Sequence, residues 1–137
     1  MSAMEGKIHL SVVTPERKLI EENVDEIVLP GSEGYLGVLP GHAPLLTALN
    51  VGELTYRTGG GTRACFVAWG FAEILPGRVS VLADVGERAE DVDMERARAA
   101  RERAERRLKG GTADTDFERA KIALEKALIR MQVAARK

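Results

Sequence analysis

The first half of the chain reads as a series of short strands. At residues 8–13 the order Ile-His-Leu-Ser-Val-Val puts Ile8, Leu10 and Val12 on one face of an extended segment. Thr14-Pro15-Glu16 ends it. Leu19 and Ile20 begin a second strand, and residues 24–29 give a third, with Val24, Ile27 and Leu29 apolar and Pro30-Gly31 as its stop. Residues 49–56 and 63–69 follow as strands joined through Thr58-Gly59-Gly60-Gly61-Thr62, a hairpin tip. Gly70 interrupts the apolar run, residues 71–75 resume it, Pro76-Gly77 turns it, and residues 78–83 close the series. Short strands at intervals of about ten residues, punctuated by Gly and Pro, predict an antiparallel β-sandwich of about 85 residues.

At Gly86 the period changes. Residues 91–109 contain neither Gly nor Pro, and Asp91, Asp93 and Glu95 crowd a first turn where negative charge suits the helix dipole. Ala97, Ala100, Ala104 and Leu108 recur at three- and four-residue spacing as a narrow stripe of mostly small side chains. Gly110-Gly111 ends this helix. Thr115-Asp116-Phe117-Glu118 is a capping box for a second one, with Phe117, Ala120, Leu124, Ala127, Leu128, Met131 and Ala134 as its apolar face. Two helices joined by about five residues pack as an antiparallel hairpin. The predicted fold is therefore α+β: an N-terminal antiparallel β-sandwich over residues 1–86 and a C-terminal antiparallel two-helix hairpin over residues 87–137. A buried alanine contributes far less than the ~2 kcal/mol of a buried leucine, so the hairpin needs a partner, either the sandwich or another protein.

Charge sharpens that division. Residues 1–90 carry 7 Lys and Arg against 12 Asp and Glu, and residues 91–137 carry 13 against 9, so an acidic half precedes a basic one. Such a tail folds back on its own domain or seeks an acidic partner. With 45% hydrophobic and 30% charged residues the chain has a globular balance, and with only 4% aromatic residues its core must be aliphatic. No apolar run approaches the ~20 residues that span a bilayer, and no secretory signal is expected at the N-terminus, where Met4 is a second candidate start.

One segment breaks the strand rhythm. In Gly34-Tyr35-Leu36-Gly37-Val38-Leu39-Pro40-Gly41-His42-Ala43-Pro44-Leu45-Leu46, glycines and prolines alternate with apolar residues too regularly for a solvated loop. It reads as a rigid, partly buried corner whose apolar surface must be covered.

Candidate chemistry is sparse. Cys65 is the single cysteine, between apolar residues of a strand, and reads as a buried structural thiol without metal-ligand companions. His9 and His42 are the two histidines, and neither stands in a catalytic constellation or near a nucleophile elbow. The glycine triplet lacks the Gly-Lys-Ser/Thr ending of a phosphate loop. No catalytic residue and no metal site is predicted. The arginines of the tail leave three readings open: a solvated face laced with pairs such as Arg98 to Glu102 and Arg101 to Glu105, phosphate contacts to nucleic acid, or a nucleotide held between the helices.

The corner, read with Pro30-Gly31-Ser32-Glu33, resembles the signature of the epsilon subunit of bacterial F-type ATP synthases, a G-x-L-G-x-x-P-G-H-x-P-L run after the third strand. Val12-Val13-Thr14-Pro15, Gly70-Phe71-Ala72-Glu73 and the alanine- and arginine-rich tail extend the resemblance over essentially the whole chain. It implies a non-catalytic rotor subunit of a proton-translocating synthase, peripheral on the cytoplasmic face of the bacterial plasma membrane. The sandwich would bind the gamma subunit and the c-ring, with Glu33, Tyr35 and His42 of the corner near the ring. The hairpin would either fold against the sandwich or rise along gamma toward the alpha and beta subunits and block ATP hydrolysis.

The resemblance also implies a regulatory ATP site and no required cofactor. Val92-Asp93-Met94-Glu95-Arg96-Ala97 is similar to the family's Ile/Leu-Asp-x-x-Arg-Ala motif, with valine in place of the usual isoleucine or leucine. Further contacts would come from Glu87, Arg103, Lys126 and Arg130. Lysine at 126 is the larger departure, because it lacks the planar fork of an arginine.

Overall fold

Eight strands form in the computed structural model, which describes residues 6–136. The candidate start at Met4 lies outside the described residues. In chain order the strands are β1 (Ile8–Val13), β2 (Lys18–Val24), β3 (Glu26–Gly31), β4 (Gly34–Val38), β5 (Leu45–Ala48), β6 (Gly52–Thr58), β7 (Gly61–Leu75) and β8 (Arg78–Arg88). They pair in the order β2-β1-β8-β7-β6-β3-β4, with β5 added to the second half of β7. The ladder closes on one aliphatic core in which Ile8, Leu10, Leu29, Leu54, Ile74 and Val81 are fully buried. This is the expected sandwich, antiparallel in every pair except that of the first and last strands, β1 and β8, which run parallel.

The strand boundaries differ from the sequence reading in three places. Val24 closes β2 opposite Ile8, so the third strand starts after Asp25. β4 lies inside the segment expected to be a corner and β5 begins within it at Leu45, whereas Leu49, expected to open a strand, forms an isolated bridge to Gly31 before β6 begins. β8 runs through Gly86 to Arg88.

The two strands expected around Gly70 are one strand of 15 residues. Its first part pairs with β6 and its second with β5, and β8 follows it from Cys65 to Leu75. Alternation is kept, but the inward side changes. Cys65 and Val67 point into the core before Gly70, whereas Ala72 and Ile74 do so after it. The switch falls where Trp69 and Gly70 have φ of 56° and 103°. A strand that moves from one layer of a sandwich to the other must bend in this way. The bend leaves Ala64, Phe66 and Ala68 on the outside of the first part of β7, and Phe71, Glu73 and Leu75 on the outside of the second.

After β8 a 3₁₀ turn (Ala89–Asp91) leads into α1 (Met94–Gly110) and α2 (Phe117–Ala134). Asp93 caps α1, its Oδ1 accepting from Arg96 N at 3.1 Å, so the helix begins later than the acidic run suggests. The second cap is Asp116, which accepts from Arg119 N at 3.0 Å, and Thr115 Oγ1 instead accepts from Thr112 N. The helices meet through Ala97 and Ala104 on one side and Ala120 and Ala127 on the other, all buried. Phe117 and Leu128, expected on the apolar face of α2, are 45% and 44% exposed, because Phe117 stands at the first residue of the helix and Leu128 lies a step of about 100° round from the buried Ala127.

Two outcomes follow from β7. A Cβ on Gly70 would lie 2.0 Å from the Leu82 carbonyl oxygen. Gly70→Ala should therefore destabilise the chain by about 3 kcal/mol, combining left-handed strain with overpacking, and an unchanged urea midpoint would refute the bend's role. Burial, with Glu53 and Glu90 adding their charge, pushes the Cys65 thiol up to about 12. Cys65 should resist alkylation at pH 8 in the folded protein and react only in denaturant; rapid native labelling would contradict its placement.

Candidate functional site

The hairpin docks on the sandwich through α2, whose C-terminal half lies against the outer side of β6 and β7. Val133 and Ala134 bury against Ala64, Phe66 and Ala68, with Ala89 and Val92 completing a second apolar cluster. Polar contacts frame it. Arg130 places its guanidinium 4.3 Å from the centre of the Phe66 ring and donates from Nε to Glu87 Oε1 at 2.5 Å. Lys126 Nζ stands 4.2 Å from the centre of the Trp69 ring, and burial, then Arg130, lowers its pKa. Both contacts are of the cation–π type and gain strength from partial desolvation.

A cavity of about 480 Å³ opens where α1, α2 and the end of β8 converge. Val92, Ala97, Ala100 and Ala127 give it an apolar wall. Arg96, Arg103 and Arg130 present guanidiniums, and Glu87, Asp91 and Asp93 present carboxylates. All three carboxylates are already engaged. Glu87 holds Arg130, Asp93 caps α1, and Asp91 Oδ2 accepts from Arg88 Nε and from an Arg17 terminal nitrogen, both at 2.8 Å. Arg88 foremost, with Arg17, accordingly holds the Asp91 carboxyl below its ordinary range. Arg96 and Arg103 make no ion pair among the described residues, so the free charge of the cavity is positive. A flat apolar group with an anionic tail matches this lining, and the volume is that of a small-molecule site.

Of the residues singled out in the sequence, Glu87, Val92, Asp93, Arg96, Ala97, Arg103 and Arg130 all face this one cavity. Lys126 does not; it lies over Trp69 instead. Sequence reasoning missed Asp91, Ala100 and Ala127 as lining residues, although the two alanines belong to the stripes it identified. It also missed Arg17, Gln132, Arg136 and Glu53, whose pairings span 74 to 83 positions of the chain.

The corner residues gather less closely. Glu33 and Tyr35 line a shallower hollow of about 440 Å³ with Leu36, Leu45 and Leu46. His42 sits on the β4–β5 connection, where Nδ1 and the Ala43 carbonyl oxygen are 2.6 Å apart, and is not part of that lining. The expectation of a covered corner fails: Tyr35, Leu39 and Leu46 are each more than half exposed. Pairing of β5 with β7 and of β7 with β8 sets Leu46, Phe71 and Leu82 on the same outer face, also exposed. An apolar face of this extent marks an interaction surface. Among the described residues no cluster suited to a metal ion occurs, and no helix is long and apolar enough to cross a membrane.

The chain is similar to known proteins in both of its parts. Residues 7–89 match the family described as ATP synthase, Delta/Epsilon chain, beta-sandwich domain, and residues 90–135 match ATP synthase, Delta/Epsilon chain, long alpha-helix domain. The chain is 48% identical to the ATP synthase epsilon chain of Geobacter metallireducens over 97% of each protein. It is also 48% identical to that of Nitratidesulfovibrio vulgaris strain DP4, over 95% of this chain and 97% of the relative. Among solved structures, a chain of the Euglena gracilis mitochondrial ATP synthase (OSCP/F1/c-ring, rotational state 1) superposes with a TM-score of 0.77 at 26% identity, over 95% of this chain and 81% of that one. A chain of the Tetrahymena thermophila mitochondrial ATP synthase central stalk and c-ring shares the fold, with a TM-score of 0.59 at 14% identity, over 93% and 96%.

Proposed function

We infer the function of this chain from one premise: it belongs to the ATP synthase delta/epsilon family. It is an epsilon-type subunit of the synthase, a non-catalytic part of the stalk. The sandwich joins the gamma subunit to the c-ring, using the exposed apolar face around Leu46, Phe71 and Leu82 and the corner with Glu33, Tyr35 and His42. Attachment to the membrane is through the complex. The hairpin is a brake: docked on the sandwich it permits rotation in both directions, and raised along gamma it brings its basic helices to the alpha and beta subunits and stops ATP hydrolysis.

The hairpin is suited to such exchange because its hold on the sandwich is modest. Two helices share mostly alanines, and α2 adds one cluster of valine and alanine against Phe66. Its charge complements the sandwich, since Arg130 and Arg136 find Glu87 and Glu53 there.

One observation carries the regulatory reading. The cavity is built from the end of β8, the 3₁₀ turn and connection that follow it, and both helices, so it exists only while the hairpin is docked. A ligand held there stabilises the docked state by mass action, about 2.7 kcal/mol at a hundredfold excess over its dissociation constant. ATP fits the lining: its base against Val92, Ala97 and Ala127, its phosphates toward Arg96, Arg103 and Arg130. No carboxylate is placed to activate water at the phosphates, because each is already held by an arginine or a helix end, so the nucleotide is bound and not hydrolysed.

Calorimetric titration with ATP checks this. Arg96→Ala and Arg103→Ala should each weaken binding by about tenfold or more, the loss of one charge-assisted contact. Lys126→Ala should weaken it less, because that side chain is engaged with Trp69. Wild-type affinity in both arginine variants would remove the nucleotide from this cavity.

A further inference from the structure

Away from the cavity, the free end of α2 is fastened to the sandwich by one buried carboxylate. Glu53 lies on β6 opposite Phe66 of β7, and its side chain is 6% exposed. Its Oε1 accepts from Gln132 Nε2 and its Oε2 from Arg136 Nε, both at 2.9 Å. A carboxylate so deep is tolerated because both oxygens are filled and one partner is charged. When the helix end leaves, it uncovers the same carboxylate to water. Release therefore strands no buried charge, and the contact can open and close.

The backbone of Glu53 is held from the opposite side. Its N–H donates to the Tyr35 hydroxyl oxygen at 3.0 Å. Tyr35 can reach it because residue 52 is glycine: a Cβ there would lie 2.7 Å from that oxygen and 2.5 Å from Pro30 Cβ. Tyr35 itself belongs to β4 and is 58% exposed on the corner. Glu53 thus hydrogen-bonds both the corner and the end of the hairpin.

We propose that Glu53 is the latch of the hairpin and that the corner sets its grip through Tyr35, so that a protein surface seated on Tyr35 shifts the balance between docked and released helices. The latch rests on the reading that the hairpin leaves the sandwich, and it is separate from nucleotide in the cavity. Through it the corner also senses whether the sandwich is seated.

Hydrogen exchange on the full chain tests it, comparing wild type with Arg136→Ala, Glu53→Gln, Tyr35→Phe and the Arg136→Ala/Tyr35→Phe double variant. Arg136 is exposed beyond the end of α2, so its loss leaves the sandwich folded. Amides of α2 should exchange about tenfold faster in Arg136→Ala and Glu53→Gln while β1 and β2 keep wild-type rates. Tyr35→Phe should act in the same direction and add nothing in the double variant, as members of one network do. The latch is overturned if α2 exchange ignores Arg136→Ala and Glu53→Gln, and the corner's control is overturned if Tyr35→Phe has no effect or adds its full effect to the double variant. Were α2 in the wild type to exchange only together with the sheet, the mobile hairpin and the latch would both fall, whereas an α2 that opens on its own but ignores the variants would fell the latch alone. ATP binding, measured separately, bears only on the cavity.

Discussion

The packing of α2 on the outer side of β7 is the contact on which the place of the hairpin, the cavity and the hold of Glu53 on the helix end all depend. The two helices offer each other little beyond alanine, and a hairpin joined that way is marginal in water. Phe66 supplies what they lack: a large apolar face on a rigid strand, closed over by Val133 and Ala134 and topped by the guanidinium of Arg130. That face exists because β7 changes its inward side at Trp69 and Gly70. Before the bend the outer residues are covered by helix; after it they are bare. One strand therefore carries both the seat of the hairpin and, beyond the bend, the exposed Phe71 and Leu75.

The charges complete this arrangement. An acidic sandwich and a basic tail attract at long range, but attraction alone selects no register. The pairs that do so are few and specific: Glu87 with Arg130, Glu53 with Arg136 and Gln132, and Asp91 with Arg17 and Arg88. The last of these ties the 3₁₀ turn to the β1–β2 connection and fixes the start of the hairpin on the sandwich side. The cavity lies between the fixed start and the latched end. Docking engages Glu87 with Arg130 and leaves Arg96 and Arg103 without an ion pair among the described residues, at a cavity walled by Val92, Ala97, Ala100 and Ala127.

Much of this was legible in the chain itself. Period-two alternation gave the strands, its change near Gly86 gave the helices, and residues of the Val92-to-Ala97 motif do face a common cavity. What escaped has physical reasons. Gly70 looks like a stop, because sequence cannot distinguish a glycine that ends a strand from one that bends it between layers. Leu128 fits a helical stripe as well as Val133 does, and only the position of Phe66 decides that Val133 is buried. Thr115 and Asp116 are both good caps, and one residue of register chose between them. Lys126 shares a helix face with Arg130, yet the sheet's single tryptophan claims it. Glu53 is one acid in a strand of alternating residues, and nothing local marks it as the partner of a residue 83 positions away.

A hairpin that acts as a brake must inhibit the catalytic core of the synthase, and a sandwich without it must not. The most direct measurement is the ATPase rate of an epsilon-free catalytic core containing gamma, titrated with the full chain and with a chain ending at Asp91, after the 3₁₀ turn. Inhibition by the full chain that saturates near one copy per core, with the shortened chain still co-eluting with gamma but leaving hydrolysis untouched, is the predicted result. Equal inhibition by both chains, or none by the full chain despite its binding to gamma, would contradict it.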